Sequence, residues 1–141
     1  MPTTRPSQTT PQASRPKRGE IYLTALDPTL GREIQKTRPA LIIQNDISNR
    51  LSDITIVAPI TSTVRFPLNP VHVLLPAGQD TGLSVTSVAL FNQIRAVDRM
   101  RLIKWLGTID QQTSENVDEA IKISLGLTSV RPVRIPSAPA A

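Results

Sequence analysis

Nine polar residues on and beside two loops hold most of what this chain could use for chemistry: Glu33, Lys36, Arg38, Asn45, Asn49, Arg50, Thr61, Ser62 and Arg65. One histidine and no cysteine in 141 residues exclude paired-histidine acid–base catalysis, cysteine nucleophiles and thiolate or multi-histidine zinc sites. No GxGxxG stretch and no P-loop stretch is present, so neither a dinucleotide nor a nucleoside triphosphate site is indicated. Glu33, Asp46 and Asp53 fall in the same loops, but without a DxD or comparable spacing for magnesium. The expectation is a site with neither metal nor cofactor.

A set of Arg, Thr and amide side chains suits a reaction in which the substrate brings its own nucleophile. RNA does so through its 2′-OH. The protein then has to align that hydroxyl with phosphorus and stabilise the charge that builds on the phosphorane. Arginine offers a planar fork of donors that stays charged at every relevant pH. Threonine can hydrogen-bond a phosphate oxygen, and Asn or Gln can read the edges of unpaired bases.

These residues need elements to hold them. Glu20 to Ala25 alternates, with Ile21, Leu23 and Ala25 on one face. Ala40 to Gln44 is an apolar run after Pro39, and Ile54 to Ile60 sets Ile54, Ile56 and Ala58 against Thr55 and Val57. Val71 to Leu75, Ser87 to Phe91 and Ile94 to Val97 complete the strand candidates. Short runs separated by turn residues point to a small barrel or a strongly bent sheet, with Pro59 and Pro67 at strand ends or edges. Asp27 to Arg38 is a long connection of the kind that often carries function, and Asn45 to Asp53 reads as a second polar loop. One helix is expected after Thr113 and Ser114 as N-caps. Val117, Ala120, Ile121, Ser124 and Leu125 make its apolar face, and Gly126 its stop. A shorter helix is expected around Asp98 to Ile103.

Residues 1–16 and 128–141 are rich in Pro, Ser and Thr, lack periodicity and read as disordered tails around a single domain, 17–127. The charge of +5 owes much to them: four of the 16 basic residues lie there, leaving twelve against eleven acids between Lys17 and Leu127. The high pI therefore says little about nucleic acid. No apolar run approaches the roughly 18 residues of a membrane span, and residues 1–16 have no apolar signal core, so the cytoplasm is the expected compartment.

Five ordered blocks give this pattern a likeness: RGEIYL (Arg18 to Leu23), Gly31 and Glu33 followed by RPALII (Arg38 to Ile43), QND (Gln44 to Asp46), PITS (Pro59 to Ser62) and NQIRAVD (Asn92 to Asp98). In order and spacing they resemble the PemK/MazF toxins, and VDEAIKISLGL (Val117 to Leu127) is similar to that family's last helix. The resemblance implies a mainly β fold with short helices, an SH3-like small barrel closed by a C-terminal α-helix, and a homodimer. It implies a sequence-specific, metal-independent endoribonuclease that cuts single-stranded RNA, often mRNA. The ends left would be a 2′,3′-cyclic phosphate and a 5′-hydroxyl, and a cognate antitoxin would hold the activity in check.

By motif position the family's catalytic Arg falls on Arg38 and its catalytic Thr on Thr61. Its substrate contacts fall on Glu33, Asn45, Asn49, Ser62 and Gln93, while Arg65 and Arg95 are candidates for phosphate contacts. Two positions depart from the usual pattern, Ile34 after Glu33 and Asn92 before the QIR motif; both bear on base preference and neither touches Arg38 or Thr61. His72, alternating with Val71 and Val73, reads as a strand-face residue, and Trp105 as core or interface. A different function on a related barrel, binding and poisoning DNA gyrase as CcdB-type toxins do, is the alternative.

Overall fold

The computed structural model describes residues 15–34 and 36–130. Seven strands and two α-helices follow in the order β1 (Glu20–Ala25), β2 (Thr37–Ile42), α1 (Asp46–Leu51), β3 (Ile54–Thr61), β4 (His72–Leu75), β5 (Ser87–Leu90), β6 (Arg95–Asp98), β7 (Leu102–Thr108) and α2 (Gln111–Ser124). A 3-10 turn, Arg99–Arg101, joins β6 to β7. All pairings are antiparallel. β7, β1, β2 and β3 lie side by side, and β3 is then shared along its length, its first half by β6 and its last two residues by β5 of the β4–β5 hairpin. The sheet is barrel-like without closing.

Alternation along these strands separates two cores. Leu41, Ile43, Ala58 and Ile60 point to one side with Ile21, Ala89 and Phe91, and α2 covers them with Val117 and Ala120. Ala40, Ile42 and Val57 point to the other side, where they meet Tyr22, Val97 and Leu102. A sheet apolar on both faces reads as continuous runs rather than strict alternation, as ALII and IVAPI do.

Expected at a strand end or edge, Pro59 takes neither a strand end nor an exposed place: it lies buried inside β3, paired on one side only, with Ala40. Its missing N–H is tolerated because β3 changes partners there: β6 pairs as far as Val57 and β5 starts at Ile60. The last helix starts earlier than expected. Asp110, not Thr113 or Ser114, is its N-cap, accepting from the Thr113 N–H at 2.8 Å. Its end follows the expectation. Gly126 takes φ 77°, its N–H donates to Ile123 O and that of Leu127 to Lys122 O, the Schellman pattern.

Two elements were not foreseen. The polar stretch after Asn45 folds into α1, because the Asn45 side chain accepts from the Ser48 N–H at 2.8 Å and opens a helix. The stretch after Asp98 makes a single 3-10 turn instead of the short helix expected. It then extends as β7, since β1 offers an open edge to its backbone. The 76–86 segment folds onto β7 where only glycine fits. A Cβ on Gly82 would stand 2.1 Å from Leu106 O, and one on Gly107 2.2 Å from Asp80 O.

Candidate active site

The β2–β3 ladder decides which candidates meet. Ala40 faces Pro59, Leu41 faces Ala58 and Ile42 faces Val57. The paired stretch ends at Ala40 and Pro59; its register, carried two residues further along both strands, aligns Arg38 with Thr61. Side chains of paired residues share a face, so Arg38 continues the row of Ile42 and Ala40, and Thr61 that of Val57 and Pro59. A guanidinium and a hydroxyl thus lie at the rim of the second core, both half-buried.

Each is held from behind. Arg38 is paired on its other side with Thr24 of β1, a fully buried residue. Thr61 is paired with Val88 of β5. Its Oγ1 accepts from the Thr63 N–H at 3.2 Å, which leaves the hydroxyl hydrogen as a donor toward a ligand. Ser62 and Arg65 follow directly in the exposed segment after β3.

The β1–β2 connection leads into Arg38 and is tied down at several points. Glu33 closes a turn within it: its carboxylate accepts from the Leu30 N–H at 2.8 Å, and its own N–H donates to Leu30 O. Gln93 Oε1 accepts from the Ile34 N–H at 2.8 Å. Arg95, whose pairing with Val57 puts it on the same face as Thr61, donates to Leu26 O at 2.8 Å. Asp27 Oδ1 accepts from the Lys36 N–H at 3.0 Å, and the Leu26 N–H donates to Lys36 O. Lys36 has φ 74°, the left-handed region that side chains rarely adopt, two residues before Arg38. Arg101 also reaches this loop. Sequence reasoning passed over Arg101 and Asp27, because neither belongs to a motif; it counted Lys36 among the polar loop residues but not its backbone conformation, which has no signature in its residue type.

Asn45 and Asn49 lie elsewhere. α1 follows the far end of β2, and Ile43 is already about 17 Å from Arg38 at ~3.3 Å per residue. Asn45 is the helix cap described above. Asn49 is 1% exposed and its amide is saturated. Nδ2 donates to Gln44 O and Asp46 Oδ1, while Oδ1 accepts from Gln44 Nε2 and the Thr55 hydroxyl. Both asparagines shape the turn between β2 and β3.

Glu33, Asp46 and Asp53 are engaged separately: Glu33 in its own turn, Asp46 with the Arg18 N–H, Asp53 with Arg15 and Arg99. Among the described residues no group of three or more His, Cys, Asp or Glu side chains is placed to hold a metal ion. His72 is on β4, opposite Leu90, and partial burial pushes its imidazole below the usual histidine value, toward the neutral form. Trp105, on β7 opposite Tyr22, is 51% exposed.

Comparison with known proteins bears on the family and the fold. A model of the PemK-like, MazF-like toxins of type II toxin–antitoxin systems matches residues 17–125. Over 111 residues the chain is 42% identical to Endoribonuclease EndoA of Bacillus subtilis (strain 168), covering 79% of this chain and 95% of that protein. Among solved structures, MazF from Deinococcus radiodurans superposes with a TM-score of 0.68 at 26% identity, over 79% of this chain and 97% of that one. An endoribonuclease in complex with its cognate antitoxin, from a mycobacterial species, shares the fold with a TM-score of 0.66 at 23% identity, over 82% and 99%.

Proposed function

This chain belongs to the PemK-like, MazF-like toxins of type II toxin–antitoxin systems, and from that premise we propose that it is an endoribonuclease whose catalytic pair is Arg38 and Thr61. Its substrate is single-stranded RNA. The ribose 2′-oxygen attacks phosphorus, the bond from phosphorus to the 5′-oxygen breaks, and the fragments end in a 2′,3′-cyclic phosphate and a 5′-hydroxyl. The proton of the attacking hydroxyl leaves to solvent or to a substrate group, because a guanidinium holds its proton too tightly to act as a base. Arg38 stabilises the charge on the phosphorane and hydrogen-bonds the departing 5′-oxygen, which takes a proton from water to leave as the 5′-hydroxyl. Thr61 donates to a non-bridging oxygen and sets the phosphate in line.

The observation that supports this reading is the β2–β3 register, which, carried two residues past the Ala40–Pro59 pair, aligns Arg38 with Thr61 on one side of adjacent strands. A donor aimed at developing charge is worth about 10²–10³ in rate. Ser62 and Arg65, next along the chain, contact the flanking backbone. Glu33, Gln93 and Arg95 act on the substrate through the loop that they order.

A cognate antitoxin and a second copy of the chain are its partners, and the cytoplasm is its place of action. No helix among the described residues is long and apolar enough to cross a membrane. The alternative of a non-catalytic gyrase inhibitor is not favoured, since the curated relative at 42% identity is named an endoribonuclease. Incubating the pure protein with a long single-stranded RNA in EDTA tests the proposal. Cuts ending in cyclic phosphate, lost in Arg38→Ala and Thr61→Ala, are the expected result; intact RNA with wild-type protein overturns it.

A further inference from the structure

Three successive carbonyls at the foot of the β1–β2 loop are each met by a guanidinium. Arg95 Nη1 donates to Leu26 O at 2.8 Å. Arg101 Nη1 donates to Ala25 O at 3.0 Å and to Asp27 O. Asp27 in turn is the cross-brace of the loop, its carboxylate on the Lys36 N–H. Lys36 is held by a second bond, from the Leu26 N–H to its carbonyl, in a left-handed conformation that would be unfavourable unless imposed. The contacts form a short path: Arg101 to Asp27, Asp27 to Lys36, and Lys36 two residues from Arg38.

We propose that Arg101 is a positioning residue for RNA cleavage, fixing the foot of the β1–β2 loop and, through Asp27 and Lys36, the point at which Arg38 leaves it. The proposal rests on the endoribonuclease reading above. The chemistry of the contact favours it. An arginine gives donors to two carbonyls at once without titrating, and here the acceptors belong to the loop backbone, so the loop is held whatever its side chains bind. The 3-10 turn supplies the position. Asp98 caps it by accepting from the Met100 N–H at 2.8 Å, which fixes Arg101 between β6 and β7, beside the end of β1.

The test combines amide hydrogen exchange with a double-mutant cycle on the full chain. Arg101→Gln is expected to speed exchange of the Leu26 and Lys36 amides. It should lower kcat roughly ten- to a hundredfold, the scale of a misplaced catalytic group, with a much smaller change in KM. In an Arg38→Ala background the same substitution should cost less than about threefold, because its route of action is gone. Arg101→Lys, still able to donate to a carbonyl, should recover part of the rate. Should Arg101→Gln fail to fold, Asp27→Ala breaks the same brace from its other end and is read in the same way. Unchanged amide exchange, or an equal loss of rate with and without Arg38, overturns the proposal while the wild type still cuts RNA. A wild type that cuts no RNA overturns the endoribonuclease reading itself, and the proposal with it.

Discussion

Replacing Asn49 by alanine separates a structural asparagine from an RNA-reading one. The Asn49 amide makes four hydrogen bonds, all within the turn from β2 to β3. Truncation leaves the Thr55 hydroxyl, on a residue 1% exposed, without the acceptor it now uses. A buried hydroxyl stranded in this way costs about 1–3 kcal/mol. The Gln44 groups, half-buried, recover part of their bonding from water and add less. The expected loss is therefore roughly 2–4 kcal/mol, read as a lower midpoint in urea unfolding with an unchanged slope. At a temperature where the variant is still folded, KM for RNA should stay within about twofold of wild type. A variant as stable as wild type but weaker toward RNA would refute the reasoning, and would show that Asn49 reaches the substrate after all.

Other consequences follow from the same geometry. The Thr113 N–H, donating to Asp110, holds that carboxyl below its ordinary value of 3.8. A carboxyl depressed in the folded state contributes stability above its unfolded pKa and loses it as pH falls through the folded one. Asp110→Ala should therefore be less stable than wild type at neutral pH and approach it in acid below about pH 4, as thermal melts across pH will show. Gly82→Ala, with φ 74° and a backbone oxygen at 2.1 Å from the new Cβ, should cost roughly 2 kcal/mol or more, measured by denaturant unfolding.

How far the chain could be read in advance varies with the range of the interactions. Strands β1, β3 and β5 were legible because each is a short apolar run bounded by turn residues, a signal contained within a few positions. α2 was legible because its apolar spacing and Gly126 are local signals. α1 was hidden because an Asn cap and a buried Asn49 make a polar helix look like a loop. β7 was hidden because an edge is recruited by its neighbour, here β1, and LIKWL has no strict period of its own. For the proposed site, the motifs point to Arg38 and Thr61. They do not tell what the loop residues do: Ile34 and Gln93 are 59 positions apart, Leu26 and Arg95 69, and Ala25 and Arg101 76. Those bonds exist only after β6 has paired with β3 and β7 with β1, and no window of sequence contains both partners.

The central claim is that Arg38 and Thr61 serve a reaction whose nucleophile belongs to the RNA. Cleavage of two oligonucleotides, identical except for a 2′-deoxyribose at the cut position, measures this directly. The account predicts that the ribose form is cut to a cyclic phosphate and that the deoxy form, bound with similar affinity, is left intact. Equal cleavage of both would contradict it, since the attacking oxygen would then have to come from elsewhere.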